Sequence, residues 1–307
     1  MKKRRWLESA LKFRGSVIPA VLPRVIALGI FAEGVFLAEK TLRQDLSPEI
    51  LGSVGFVLNL VLSLLLVFRT NTAYERFWEG RKAWGTLVNT TRNTARTLWI
   101  AVQEKTPQDK LDKIANLKLL VAFAICVKLH LRHLPINQEL EPFTSPEQFH
   151  KLQQMHHPAL QVAFWLGDYA QKQHDRGCLN VYLLNLIHEQ VSILVDVLGI
   201  CERIQKTPIP VAYSIHLKQI LLVYSVFLPF QLVDAFGWMT GLATTMVTFV
   251  LLGIEEIAEE IEDPFGTDPN DLPLDQICQN IDRNLQDLIA LAPSSRRELP
   301  NEPIGVE

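Results

Sequence analysis

The sequence predicts an all-α membrane protein with four transmembrane helices per subunit and a large helical cytoplasmic region. Three observations predict it. Two long runs carry no charge at all, no alternating strand pattern competes with helical composition between them, and basic residues gather beside particular ends of the apolar runs. The 307-residue composition, 48% hydrophobic yet 21% charged, suits a body that is part membrane and part aqueous.

Ile50 to Phe68 (ILGSVGFVLNLVLSLLLVF, 19 residues) and Ala235 to Ile254 (AFGWMTGLATTMVTFVLLGI, 20 residues) are uncharged. At about 1.5 Å rise per residue each crosses most of a hydrocarbon core of about 30 Å. Two weaker runs join them. Val25 to Ala38 is apolar except for Glu33, and Val211 to Val233 is apolar except for His216 and Lys218, with Pro229 inside. Beside two clear spans they read as further spans that face protein, where a polar residue finds a partner. Lys2, Lys3, Arg4, Arg5, Lys12 and Arg14 precede the first span, and Arg69, Arg76, Arg81, Lys82, Arg92 and Arg96 follow the second. The positive-inside rule then puts both termini and the long middle on the cytoplasmic side.

That middle reads as helices. The second span runs on through Arg69 to Gln103, Lys110 to Leu134 is amphipathic, and Ala159 to His174 and Cys178 to Lys206 follow. Residues 136–158, rich in proline, read as a loop. Thr207-Pro208-Ile209-Pro210 is the hinge into the third span. The divisions expected are 1–23 cytoplasmic, 24–69 spans one and two, 70–210 cytoplasmic helices, 211–262 spans three and four, 263–292 an acidic segment and helix, and 293–307 a disordered tail.

Composition excludes several classes of function. A net charge of -3 leaves no nucleic-acid footprint. Cys126, Cys178, Cys201 and Cys278 form no CxxC pair, so buried, reduced thiols are expected rather than zinc or a disulfide framework. The basic N-terminus is followed by Glu8, Lys12 and Arg14, not by the apolar core of a secretory signal. His130 and His133 share a helix face and His156-His157 is a doublet, but no HExxH, phosphate loop or nucleophile elbow accompanies them. No enzyme is predicted.

Leu60, Leu64 and Phe68 stand at i, i+4 and i+8, one stripe along the second span. Around an axis of several copies, such a stripe makes apolar rings able to gate by dewetting; alone, it serves equally for lipid or helix contact. Below it, FRTNTAYERFWEGRKAWG opens a stretch to residue 96 with six basic residues against two acidic ones. Arg69 and Arg76 there are candidates to attract anions, or else to anchor the helix and pair across the fold. After the fourth span, Glu255 to Asp275 is acidic without a single Lys or Arg, a solvated face or an ordered cap around Pro264-Phe265-Gly266.

These motifs resemble those of bestrophins. FRTNTAYERFWEGRKAWG is similar to the segment after their second span, and IEDPFGTDPNDLPLD to their acidic segment after the fourth. TPIPVAYSIHLK looks like the prokaryotic and plastid branch, which includes the plant thylakoid voltage-dependent chloride channel, and Arg14 to Ser16 adds an N-terminal match. The resemblance spans roughly residues 10 to 290 and implies a homopentamer around an axial pore lined by the second helix. Leu60, Leu64 and Phe68 would form its neck, and Val181 a second, cytoplasmic aperture. It implies passive conduction of chloride and other small anions, although some bacterial members favour cations. Animal members hold Ca²⁺ in a clasp; the matching positions here are Glu260 and Asp263 through their carbonyls, and Asp268 and Asp271 through their side chains. Pro269 and Asn270 interrupt the continuous acidic run of the animal pattern, so a structural cap is expected and no cofactor is required. A cation-selective homologue and a non-conducting scaffold are the alternatives. The membrane implied is a plasma membrane, or a thylakoid with stromal termini.

Overall fold

The computed structural model describes residues 12–13, 15–42 and 49–291. Every regular element among them is helical: α1 (Ile18–Leu42), α2 (Glu49–Ala101), α3 (Pro107–Leu131), a 3-10 turn (Gln138–Phe143), α4 (Pro146–Gln154), α5 (Pro158–Asp175), α6 (Val181–Lys206), α7 (Val211–Phe236), a 3-10 turn (Gly237–Met239), α8 (Thr240–Glu262) and α9 (Leu274–Leu291). The tail expected at 293–307, Arg14 and the link at 43–48 lie outside the described residues. The chain divides into two compact units, one of Met1–Lys82 with Glu202–Leu272 and one of Ala83–Cys201 with Pro273–Glu307. Helix α2, 53 residues long, runs from the first into the second without a break.

In the first unit α1 packs on α8 and α7, and α7 on α8. Leu62 and Leu66 of α2 meet Leu217, Leu221, Tyr224 and Leu228 of α7 and Leu251 of α8 in a buried cluster. Tyr213 donates its hydroxyl to the Leu65 carbonyl at 2.9 Å. The α1–α8 crossing is close because two glycines face it: a Cβ on Gly241 would stand 3.1 Å from the Gly29 carbonyl oxygen and 2.9 Å from Glu33 Oε2. Small residues let helix backbones approach where lipid supplies no hydrophobic drive between helices. The methyl group of Gly241→Ala is therefore expected to force α1 and α8 apart at a cost of about 1–3 kcal/mol. Thermal unfolding of the protein in detergent measures it.

The uncharged run 235–254 does not fall within one helix. Ala235 and Phe236 finish α7, Gly237 turns the chain at φ +50°, and α8 begins at Thr240. Apolarity over 235–254 is blind to this turn, because Gly237-Trp238-Met239 is as apolar as its flanks. Outward residues of this unit are large and apolar, among them Ile30, Leu222 and Met246.

The second unit is built around α3, with α5, α9 and the first 3-10 turn packed on it. Leu119 to Val127 are buried without interruption, so α3 is enclosed rather than amphipathic. Residues 136–158 are not a loop: they hold the 3-10 turn and α4. Pro146 and Pro158 sit at the first helical positions, where a missing N–H costs nothing, and Ser145 with Gln148 makes a capping box. Thr106 and Asp109 cap α3 in the same way. All four cysteines are buried and free of disulfides; burial pushes the Cys126 and Cys278 thiols up to about 12, which keeps them protonated.

Among the described residues, five helical stretches are long and apolar enough to cross a membrane: α1, α2, α3, α6 and the α7–α8 pair counted as one. Burial sets one of them apart: of the apolar window of α3, 72% is inside the fold, against 39% for α6 and 22–33% for α1, α2 and α7–α8.

Candidate functional site

Helix α2 is two-faced within the first unit. Leu62 and Leu66 are inside at 0% and 3% exposure, while Leu60, Leu64 and Phe68 are 62%, 55% and 55% exposed. The stripe continues downward through Asn71, Tyr74 and Trp78, all exposed. An i, i+4 apolar row turned away from its own core needs some other surface or medium against it.

Arg69, directly after Phe68, is 2% exposed. Its guanidinium donates to Ser214 Oγ at 2.5 Å and to Glu262 Oε2 at 3.2 Å. Arg76 donates through Nε to the Glu262 carbonyl (3.1 Å), through one terminal nitrogen to the Ile204 carbonyl (2.7 Å) and through the other to that of Thr207. Glu262 Oε1 accepts from the Ile209 N–H at 3.0 Å. One carboxylate at the end of α8 thus ties α2, just below the apolar stripe, to the Thr207–Pro210 hinge. Both arginines make ties within the chain instead of standing free.

The acidic loop is closed on itself. Asp271 Oδ2 accepts from the Asp268 N–H at 2.7 Å, Asp263 Oδ1 from that of Phe265 at 3.3 Å, and Glu260 Oε2 from the Asn270 amide at 2.6 Å. Leu272 donates to the Pro264 carbonyl at 3.0 Å. A Cβ on Gly266 would lie 2.6 Å from Asp271 Oδ2, so a side chain there would displace that carboxylate. Phe265 is fully buried, and a Cβ on Gly80 of α2 would be 3.1 Å from its ring.

Val181 opens α6 and is 46% exposed, with Asn180 Oδ1 accepting from Leu183 N at 2.9 Å. The turn before it is held by Arg176, whose guanidinium reaches Asp109 at 2.8 Å, and by the Gln103 N–H on the Cys178 carbonyl at 2.9 Å. The Arg176 guanidinium draws the Asp109 carboxyl from 3.8 down to about 2, with further hydrogen bonds from Thr106 and Lys105. A depressed carboxyl stabilises the folded state above its unfolded value, and that stability drains away as pH falls from 3.8 toward about 2. Asp109→Asn is expected to lower the melting temperature at neutral pH and to flatten its decline across that acid window. Circular dichroism melts from pH 7 to pH 2 check both.

Of the histidines, the fold brings His130 against His157 with ring centroids 4.6 Å apart, a pairing that the i, i+3 spacing of His130 and His133 does not suggest. Sequence reasoning also missed Glu262 and Ser214. Glu262 was one of many acids in a run, and nothing local distinguishes it; only the fold brings Arg69 to it.

The fold and this helix define the class: an all-helical integral membrane protein, its long helix presenting an unpartnered apolar stripe. A family model for "Bacterial/Fungal Bestrophin protein" matches residues 1–287. The chain belongs to that family. It is 55% identical over 294 residues to a voltage-dependent anion channel-forming protein of Nostoc sp. (strain PCC 7120), covering 96% of this chain and 95% of the relative. A protein of the same name from Synechocystis sp. (strain PCC 6803) is 50% identical over 290 residues, 94% of each. A crystal structure of a bacterial bestrophin homologue from Klebsiella pneumoniae superposes with a TM-score of 0.79 at 28% identity, over 89% of this chain and 98% of that one.

Proposed function

We propose that the chain is one subunit of a homopentameric channel that conducts chloride and other small anions passively. The observation that carries this reading is the outward apolar stripe of α2, Leu60, Leu64 and Phe68, exposed in the single chain and opposite the buried Leu62 and Leu66. Around an axis these side chains form stacked rings, a neck that gates by dewetting. Val181 at the exposed start of α6 is the candidate for a second ring. The relatives' names as anion channel-forming proteins support the sign of the ion and argue against an enzyme.

In this reading α1, the first part of α2, α7 and α8 span the bilayer, lipid covers their outer residues, and both termini are cytoplasmic. The enclosed α3, with Lys113 and Lys128 in ion pairs, belongs to the aqueous part. The acidic loop Glu260–Asp271 is a self-capped structural element, so channel currents are unchanged by calcium removal.

A cation-selective pore is the second reading. It is favoured by the ties on Arg69 and Arg76, which take two positive charges out of an open vestibule. Purified protein in planar bilayers under a chloride salt gradient decides between them. Reversal near the chloride equilibrium potential supports the anion channel, reversal near the cation's sinks it, and absence of any current points to a scaffold.

A further inference from the structure

At about 100° per residue, Asn71, Glu75, Trp78 and Lys82 stand within about 40° of Leu64 around α2, and all four are exposed. Leu62, Leu66, Ala73 and Gly80, on the opposite side, are buried. Within the first unit, α2 therefore has one continuous outer line, apolar above and polar below. That line carries two charges. Glu75 comes about 10 Å beyond Phe68 along the helix axis, and Lys82 about 10 Å beyond Glu75. Neither makes a hydrogen bond or ion pair among the described residues. The charges around them differ: Arg69 and Arg76 are tied to Glu262 and to backbone carbonyls, and Glu79 accepts from Arg203 at 2.7 Å. Arg81 is exposed and also unpaired among the described residues, but it stands about 100° off the line.

We propose that Glu75 and Lys82 set the sign of the ion that passes, Glu75 acting against anions and Lys82 for them. The inference rests on the channel reading, in which copies of α2 surround an axis and turn Leu60, Leu64 and Phe68 toward it. Whatever turns Leu64 to the axis turns Glu75 and Lys82 there too, because all three share one face of an unbroken helix. Symmetry places the copies of each residue at one height, so the carboxylates form one ring and the ammoniums another. Rings about 10 Å apart cannot close ion pairs, and at 0.1 M salt that distance is already about a Debye length. Each ring then acts on a passing ion by itself. The first charge met below the apolar neck is negative, which depletes anions and enriches cations there. Arg69 and Arg76 stand more than about 100° off the line, so they do not share that ring.

Purified parent and variants in planar bilayers under a potassium chloride gradient test this. Glu75→Gln is expected to move the reversal potential toward that of chloride and to raise the chloride-over-potassium permeability ratio at least about threefold. Lys82→Gln moves it the other way. Glu75→Asp keeps the charge and reverses with the parent, and Arg81→Gln, off the line, shifts the potential less than Lys82→Gln does. The Glu75→Gln shift shrinks when both solutions are raised toward molar salt at the same ratio, where the Debye length falls to about 3 Å. A conducting parent whose reversal potential is unmoved by both Glu75→Gln and Lys82→Gln overturns the inference and leaves the channel reading standing. So does a shift that Glu75→Asp reproduces, or one that persists undiminished at high salt, since either reports altered neck packing and not charge. A parent that carries no current overturns the channel reading and this inference with it. Should Glu75→Gln fail to elute as the parent oligomer does, Lys82→Gln carries the test.

Discussion

Replacing Glu262 by alanine is expected to destabilise the first unit by about 3 kcal/mol, because it leaves a buried guanidinium without its countercharge. Arg69 is 2% exposed and Glu262 17%, so water cannot substitute for the lost carboxylate. The same change removes the acceptor for the Ile209 N–H, whose replacement by solvent is only partial at a residue 8% exposed. Glu262→Gln keeps an acceptor of the same shape and loses the charge, so its effect is smaller. Arg69→Met combined with Glu262→Ala removes both charges and is expected to recover part of the loss, the signature of a coupled pair in a double-mutant cycle. Melting temperatures of the four proteins in one detergent give the coupling. If Glu262→Ala melts with the parent, the clamp contributes nothing. Because Arg69 follows Phe68, loss of the clamp is also expected to alter conduction at the proposed neck.

Leu64→Ala is expected to raise single-channel conductance or open probability by roughly a few-fold, since the substitution is repeated in every subunit of the proposed ring. Leu64 is 55% exposed in the single chain, so truncating it opens no cavity in the unit's own core. Its neighbour Leu66, 3% exposed, is the control: Leu66→Ala is expected to cost about 2–5 kcal/mol in stability. Bilayer recordings and melting curves of both variants separate the two faces of α2. Unchanged currents with Leu64→Ala would remove the neck from this helix face.

Long α2, the uncharged spans and the helical middle were legible in the sequence, because each is announced by composition over a window longer than a helical turn. The stripe Leu60, Leu64, Phe68 was legible as spacing, but not as a face. Leu-rich helices contain several such rows, and only packing against Leu217, Leu221 and Leu251 tells which row is left outside. The prolines of 136–158 misled in the other direction. Pro146 and Pro158 start helices instead of breaking them, a distinction that depends on the cap at Ser145 and on what the helix packs against.

Charge shows the division most clearly. Basic residues beside the apolar runs predict sidedness through a rule that needs only counting. Whether a particular charge is free or bound depends on atoms brought from far along the chain: Arg69 to Glu262, Arg76 to Ile204, Lys218 to Glu259. Local sequence therefore sufficed for an all-helical membrane protein with an apolar-striped second helix, since hydropathy and helical period are local quantities. The clamp below that stripe and the closed acidic loop emerged only when α2, α7 and α8 packed together, because a carboxylate's partners are set by distance in space.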